Sequence, residues 1–148
     1  MINTETMSSL IQRPTRFWAG GFLFDPTSEF VFLHLRDGNT TINPNKWAFF
    51  GGLSEGDESP LDCYRREIRE EIGISVECEK VILLREYLNV ELNTQRIVFY
   101  SLADSTQNDF VLGEGAGFGW IHLRELSAYD LTEKTKEDLE FLVVRITK

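Results

Sequence analysis

One stretch limits this chain more than any other: "GGLSEGDESPLDCYRREIREEIGI", Gly51 to Ile74. Ser59 is a good N-cap, Pro60 suits the first helical position, and Gly73 suits the left-handed residue that ends a helix, so the spacing predicts a helix over 60–72. At 100° per residue, Leu61, Tyr64, Ile68 and Ile72 share one stripe, which must be the buried face. Glu67, Glu70 and Glu71 fall on a neighbouring strip spanning about 100°. Two carboxylates about 5 Å apart repel by roughly 3 kcal/mol at an effective dielectric near 20. Three together need a cation among them or full exposure to water. The plain alternative is a solvated helix face with Arg66 bridging to Glu70.

The surrounding residues decide between these. The stretch resembles the signature of the Nudix hydrolase (MutT-like) family, G-x5-E-x7-R-E-U-x-E-E-x-G-U with U a bulky aliphatic. Gly52, Glu58, Arg66, Glu67, Ile68, Glu70, Glu71, Gly73 and Ile74 take its positions with every spacing kept. From average residue usage, a chance match in a chain this long is on the order of 10⁻⁸ to 10⁻⁷. The resemblance implies that Glu67, Glu70, Glu71 and the Gly52 carbonyl hold Mg²⁺, with Mn²⁺ able to substitute. It also implies that Arg66 orients a glutamate, that Glu58 partners Arg66 and ties loop to helix, and that Gly73 turns the chain back into the fold. One position departs from the family's habit: Phe50 stands where proline often precedes the two glycines. The proline that ADP-ribose hydrolases tend to carry beyond the box is also missing, which weighs against that substrate.

The rest of the chain fits one domain. At 148 residues, 42% hydrophobic and 26% charged, it has the size and composition of an ordinary globular domain. Residues 1–14 read as a polar, loose N-terminal arm and 15–148 as the Nudix domain. Residues 16–24 and 30–36 read as strands joined by the turn "DPTSE", followed by a polar loop over 37–45 and a short apolar run, "WAFF". "GGLSEGDE" reads as a loop. Beyond the helix, 80–92 and 96–103 read as paired strands, 110–123 as strand, glycine-rich bend and strand. Residues 131–146 read as a closing helix with Leu139, Leu142, Val143 and Ile146 inward. The fold class is α/β, a Nudix-type α/β/α sandwich with a mixed sheet.

Net charge excludes some partners. At -9 the chain lacks the basic face that nucleic acid needs, and it would repel an anionic substrate unless a cation intervenes. Mg²⁺ supplies that counter-charge. No segment approaches the roughly 18 apolar residues of a membrane span, and the N-terminus does not read as a signal peptide. The chain reads as cytoplasmic, so the "NTT" sequon at Asn39 carries no weight. Cys63 and Cys78 make no disulfide framework, and Cys63 reads as a buried thiol. A homodimer is compatible with the sequence, which does not determine the oligomeric state.

Two residues compete as general base, Glu70 and Glu114, the second lying in the glycine-rich "EGAGFGW" that looks like the late loop of pool-cleaning family members. As a solvated loop residue Glu114 would have no role, and the sequence does not choose. Trp18 and the polar loop from Arg36 to Lys46 are the expected substrate contacts, with Arg16 and Arg36 either meeting phosphates or standing as surface cations. His34 and His122 lie in apolar strands and read as structural. The resemblance therefore implies a Mg²⁺-dependent pyrophosphohydrolase that cleaves a nucleoside diphosphate linked to another group. The small nucleotide favoured is a triphosphate or modified nucleotide, with a nucleotide sugar next. A Nudix-fold module that binds a nucleotide without cleaving it is the reading from another class, and the intact box argues against it.

Overall fold

The computed structural model describes residues 16–38, 45–106 and 117–147. Seven strands form one mixed sheet: β1 (Phe17–Asp25), β2 (Phe30–Leu35), β3 (Trp47–Ala48), β4 (Phe50–Leu53), β5 (Val81–Asn89), β6 (Thr94–Leu102) and β7 (Gly117–His122). Helix α1 is Pro60–Ile72 and helix α2 is Glu133–Ile146, with short 3₁₀ turns at Cys78–Lys80 and Leu123–Ala128. The predicted arm, most of the 37–45 loop, and Glu114 with the start of its glycine-rich bend lie outside the described residues.

Strand β1 organises the sheet. One edge pairs in parallel with β6 from Phe17↔Gln95 to Phe24↔Leu102. The other edge is shared: β4 pairs antiparallel with its first half, Trp18↔Leu53 to Gly21↔Phe50, and β2 with its second half, Leu23↔Phe32 to Asp25↔Phe30. β5 closes one side antiparallel to β6, while β3 and β7 both pair antiparallel with β2.

Alternation along these strands sends side chains into two cores. Ala19, Leu23, Phe32, Phe50, Ile97 and Phe99 face α1, where they meet Cys63, Tyr64, Ile68 and Ile72. Phe22, Phe24, Val31, Leu33, Phe49, Val98 and Tyr100 face the other way and meet Leu139 and Leu142 of α2. The result is the expected α/β/α sandwich. Helix α1 occupies its predicted range, with Ser59 accepting from the Asp62 amide at 3.1 Å and Gly73 at φ 74° ending it. In α2, Leu139 and Leu142 are inward, but Ile146 is 39% exposed. Asp138, fully buried, takes up part of that inner face instead. It binds Arg96 Nε at 2.9 Å and the Tyr87 hydroxyl at 2.8 Å. Burial nevertheless holds its carboxyl above the usual carboxylate range, the two arginines nearby pulling the other way.

One sequence expectation is corrected. Residues 51–53 do not begin a loop; they continue β4. The glycines are there because two backbones approach closely. A Cβ on Gly51 would stand 2.7 Å from the Gly20 Cα, and one on Gly20 would strike the Phe50 carbonyl oxygen. Glycine pairs on facing strands, "GG" at 20–21 and at 51–52, let the ladder close with the Trp18 indole laid against it. Phe50, in the position often held by proline, pairs with Gly21 and is fully buried, stacked with Phe32 and His34.

Candidate active site

The carboxylate strip faces the end of β4. Helix α1 packs on β1 and β4 through Tyr64, Ile68 and Ile72, each fully buried, and the Tyr64 hydroxyl anchors it on Ser101 at 2.7 Å. That packing leaves Glu67, one residue before Ile68, against the backbone of Gly52. A Cβ at Gly52 would run into the Glu67 carboxylate. Glycine there lets the Glu67 carboxylate lie against the strand backbone, and any side chain would displace it.

Arg66 links the loop to the helix. Its Nε and Nη2 donate to the two Glu58 oxygens at 3.0 and 2.8 Å, a bidentate pair. Its Nη1 donates to Glu67 at 3.1 Å and to Glu70 at 3.1 Å, with Glu55 at 3.6 Å. Nη2 also reaches the Leu53 carbonyl at 3.4 Å. The bridge to Glu70 that a solvated helix face would show is present, but it is one arm of a larger arrangement that is mostly shielded from water. The Arg66, Glu58 and Glu67 side chains are 15%, 16% and 15% exposed, against 55% for Glu70.

The carboxylates are therefore not equivalent. The Arg66 guanidinium holds the Glu58 carboxyl down to about 2, so it stays ionised. Burial pushes the Glu67 carboxyl up, with Arg66 opposing and the Glu70 charge adding to the rise. Glu67 is thus an anion held where water stabilises it poorly, which is what a second positive charge would relieve. Beside it, the Cys63 thiol donates to the Gly52 carbonyl at 3.6 Å and is pushed up to about 12 by burial. A thiol so reluctant to ionise supplies no soft ligand. What remains is a set of hard oxygens: the Glu67, Glu70 and Glu71 carboxylates and the strand backbone at Gly52.

That set suits Mg²⁺ or Mn²⁺. Among the described residues no three acidic, cysteine or histidine side chains already converge as a closed cage. Arg66 Nη1 lies between Glu67 and Glu70, so a bound cation would share these carboxylates with the guanidinium.

A cleft of about 600 Å³, a size suited to a small ligand, reaches β4 without any box carboxylate among its walls. Its walls include Gly51 and Leu53 of β4, the two residues flanking Gly52. Strand β4 thus turns Gly52 toward the carboxylates and its neighbours toward the cleft. Trp18 and Arg36 line this cleft, as Arg96 does. The Arg96 guanidinium stacks 4.1 Å from the Trp18 ring centre, covering a face that the sequence offered to a base. Arg16 is exposed just before β1 and is not part of the cleft wall. Sequence reasoning missed Asn89 and Arg96, whose only signal was an amide and a guanidinium at inward positions of two paired strands. A larger cleft of about 720 Å³, lined by Asp25, Val76 and Asp104 among others, likewise contains none of the box carboxylates and includes no residue of β4. The histidines are placed as structural residues: His34 is 7% exposed against Phe50, and His122 Nδ1 accepts from the Arg124 amide at 3.0 Å.

Comparison with known proteins gives the family and the fold. The profile of the NUDIX domain family matches residues 14–142. The nucleoside triphosphatase NudI of Escherichia fergusonii is 29% identical over 108 residues, covering 66% of this chain and 77% of that protein. Among solved structures, one from a study of MutT of Aliivibrio salmonicida and Vibrio cholerae superposes with a TM-score of 0.73 at 21% identity, covering 88% of this chain and 98% of that one. The NUDIX domain of Shewanella oneidensis NrtR, solved with ADP ribose, gives 0.69 at 14% identity over 97% and 99%. With the signature complete, Glu67 set against β4 and the family profile spanning nearly all of the sequence, the chain belongs to the NUDIX domain family and is a hydrolase acting on phosphoric anhydride bonds.

Proposed function

We propose that this protein is a Mg²⁺-dependent pyrophosphohydrolase of a small nucleotide, with a nucleoside triphosphate as the favoured substrate. The observation that carries the reading is the shared strand. Gly52 abuts Glu67 while Gly51 and Leu53 wall the cleft, so a nucleoside in the cleft can direct its phosphates at the carboxylate strip. The similarity to a nucleoside triphosphatase supports the choice of substrate. The acidic net charge supports the need for a metal, since -9 repels a polyphosphate.

The chain's own residues divide the work. Glu67, Glu70, Glu71 and the Gly52 carbonyl would hold the ion. Arg66 fixes the angle at which Glu67 and Glu70 present their oxygens, and Glu58 fixes Arg66. Mg²⁺ would neutralise phosphate charge, polarise the phosphoryl oxygens and acidify a bound water. The proton of the attacking water goes to a carboxylate, Glu70 or Glu114. Glu70 is the more exposed of the arginine's two helix partners. Glu114→Gln and Glu70→Gln, compared at saturating Mg²⁺, assign the base, because losing a positioned base costs about 10²–10⁴-fold in kcat. Arg36 at the cleft wall would meet the phosphates; Arg16 stands further out. A cytoplasmic location is proposed from the substrate class alone; among the described residues no helix is long and apolar enough to cross a membrane.

The test is a panel of nucleoside triphosphates and nucleotide sugars assayed with Mg²⁺ for released phosphate and pyrophosphate. Pyrophosphate with a monophosphate co-product is expected from at least one triphosphate. Turnover of nucleotide sugars alone would shift the substrate class, and no turnover of any nucleotide would contradict the reading.

A further inference from the structure

Asn89 ends β5 on the face that carries α2, and it is only 7% exposed. Its Oδ1 is buried without a hydrogen-bond partner. Such a group destabilises a fold, and an apolar side chain of the same shape would avoid the cost. Its neighbours are committed elsewhere. The Tyr87 hydroxyl donates to Asp138 and the Thr94 hydroxyl to the Leu92 carbonyl. Yet Asn89 lines the cleft that Gly51 and Leu53 of β4 also wall, so the missing donor has a place to come from.

Arg96 complements it. The β5–β6 register sets Asn89 opposite Thr94 and Tyr87 opposite Arg96, so Arg96 is the diagonal neighbour of Asn89 on the same face. Such diagonal neighbours are about 7–8 Å apart, a gap that arginine's length closes. Arg96 is 8% exposed, its Nε held by Asp138 at 2.9 Å and its plane stacked on Trp18. Among the described residues no hydrogen bond takes its terminal nitrogens. The cleft therefore offers a rigid pair, guanidinium donors next to an amide acceptor.

We infer that Asn89 and Arg96 read the base of the nucleotide, and that they select keto bases (guanine, uracil, thymine) over the amino bases adenine and cytosine. This rests on the nucleotide reading above. A keto base presents a carbonyl oxygen beside a ring N–H. The Arg96 nitrogens donate to the carbonyl, and the ring N–H donates to Asn89 Oδ1. Adenine and cytosine put an amino group where Arg96 needs an acceptor, setting donor against donor. A site built from buried polar groups discriminates strongly, since the wrong ligand leaves them unpaired.

The test is calorimetric binding of α,β-methylene analogues of GTP, UTP, ATP and CTP, with Mg²⁺, to the wild type, Asn89→Leu and Asn89→Asp. Binding without cleavage separates base reading from catalysis. The wild type should bind the GTP and UTP analogues about tenfold or more tightly than the ATP and CTP analogues. Asn89→Leu should bring all four within about twofold, with an unchanged or higher Tm, because it removes a buried acceptor that nothing satisfies. Asn89→Asp keeps an acceptor and should keep the preference. Equal binding by the wild type would overturn the inference. So would a preference that survives in Asn89→Leu, above all with a lowered Tm, which would mark Asn89 as purely structural. Equal turnover of all four parent nucleotides would sink base reading and leave the hydrolase reading standing, whereas absence of both binding and turnover would remove the nucleotide reading as well.

Discussion

Gly52 shows how much a single position can decide. Any Cβ there enters the space of the Glu67 carboxylate, so Gly52→Ala must push Glu67 away from the strand or move β4. Either response disturbs the oxygen set without touching a charge. Activity should fall by at least about 10²-fold, since misplacement of roughly 1 Å costs that much, while the Mg²⁺ needed for half-maximal rate rises. A metal titration of the variant's activity checks this, and wild-type values would dissociate Gly52 from the site. Glu58 makes a different prediction. Its folded-state carboxyl is held at about 2, below its ordinary value of 4.5, so its contribution is full above pH 4.5 and is lost as pH falls toward 2. The shift corresponds to roughly 3 kcal/mol. Glu58→Gln should therefore lower stability near neutrality and flatten the acid limb of the stability–pH curve. Denaturant melts from pH 2 to 7 measure it, and an unchanged acid limb would mean the Arg66 pair contributes nothing. At this scale the sequence was informative where spacing carried the signal: Glu58, Glu67 and Glu70 meet around Arg66. It was uninformative where contact depends on the fold. Nothing local showed that Arg96 would cover Trp18, since the two are neighbours only through the parallel β1–β6 ladder.

Helix α1 was legible as an element because its caps, its apolar stripe and its C-terminal glycine agree. Strand β4 was not. Its glycines are turn signals when read locally, but here they serve close approach of two strands, a fact that depends on Gly20 some thirty positions earlier. Gly51→Ala tests that account. Its Cβ would fall 2.5 Å from the Trp18 ring and 2.7 Å from the Gly20 Cα, both rigidly held. The expected loss is about 1–3 kcal/mol, as for other overpacked core positions, read as a lowered denaturant midpoint. Full wild-type stability would show that β4 sits less tightly on β1. The end of α2 was also misread. A helical stripe locates the buried face, but Ile146 in the last turn is exposed, and Asp138 shows that a charged residue can occupy that face when two arginines and a tyrosine meet it.

Across the whole molecule, the sandwich serves to bring two unlike surfaces to one strand. Helix α1 on one face of the sheet supplies carboxylates; the other face, under α2, supplies a cleft with guanidinium and amide groups. Strand β4 is the boundary, and alternation along it assigns Gly52 to one side and Gly51 and Leu53 to the other. On the proposed reading, that arrangement lets a chain with a net charge of -9 act on a polyanion, because the acidic strip would recruit the cation that the substrate needs. The most direct measurement is turnover of the preferred nucleotide by the wild type and Glu71→Gln, first with excess EDTA and then across a Mg²⁺ titration, with the metal-free Tm recorded for both. The account predicts no turnover in EDTA and recovery on adding Mg²⁺. For Glu71→Gln it predicts a rate lower by about 10²-fold or more at any Mg²⁺ concentration, with a metal-free Tm within a few degrees of wild type. Full turnover in EDTA, or a wild-type rate and Mg²⁺ requirement in Glu71→Gln, would contradict it.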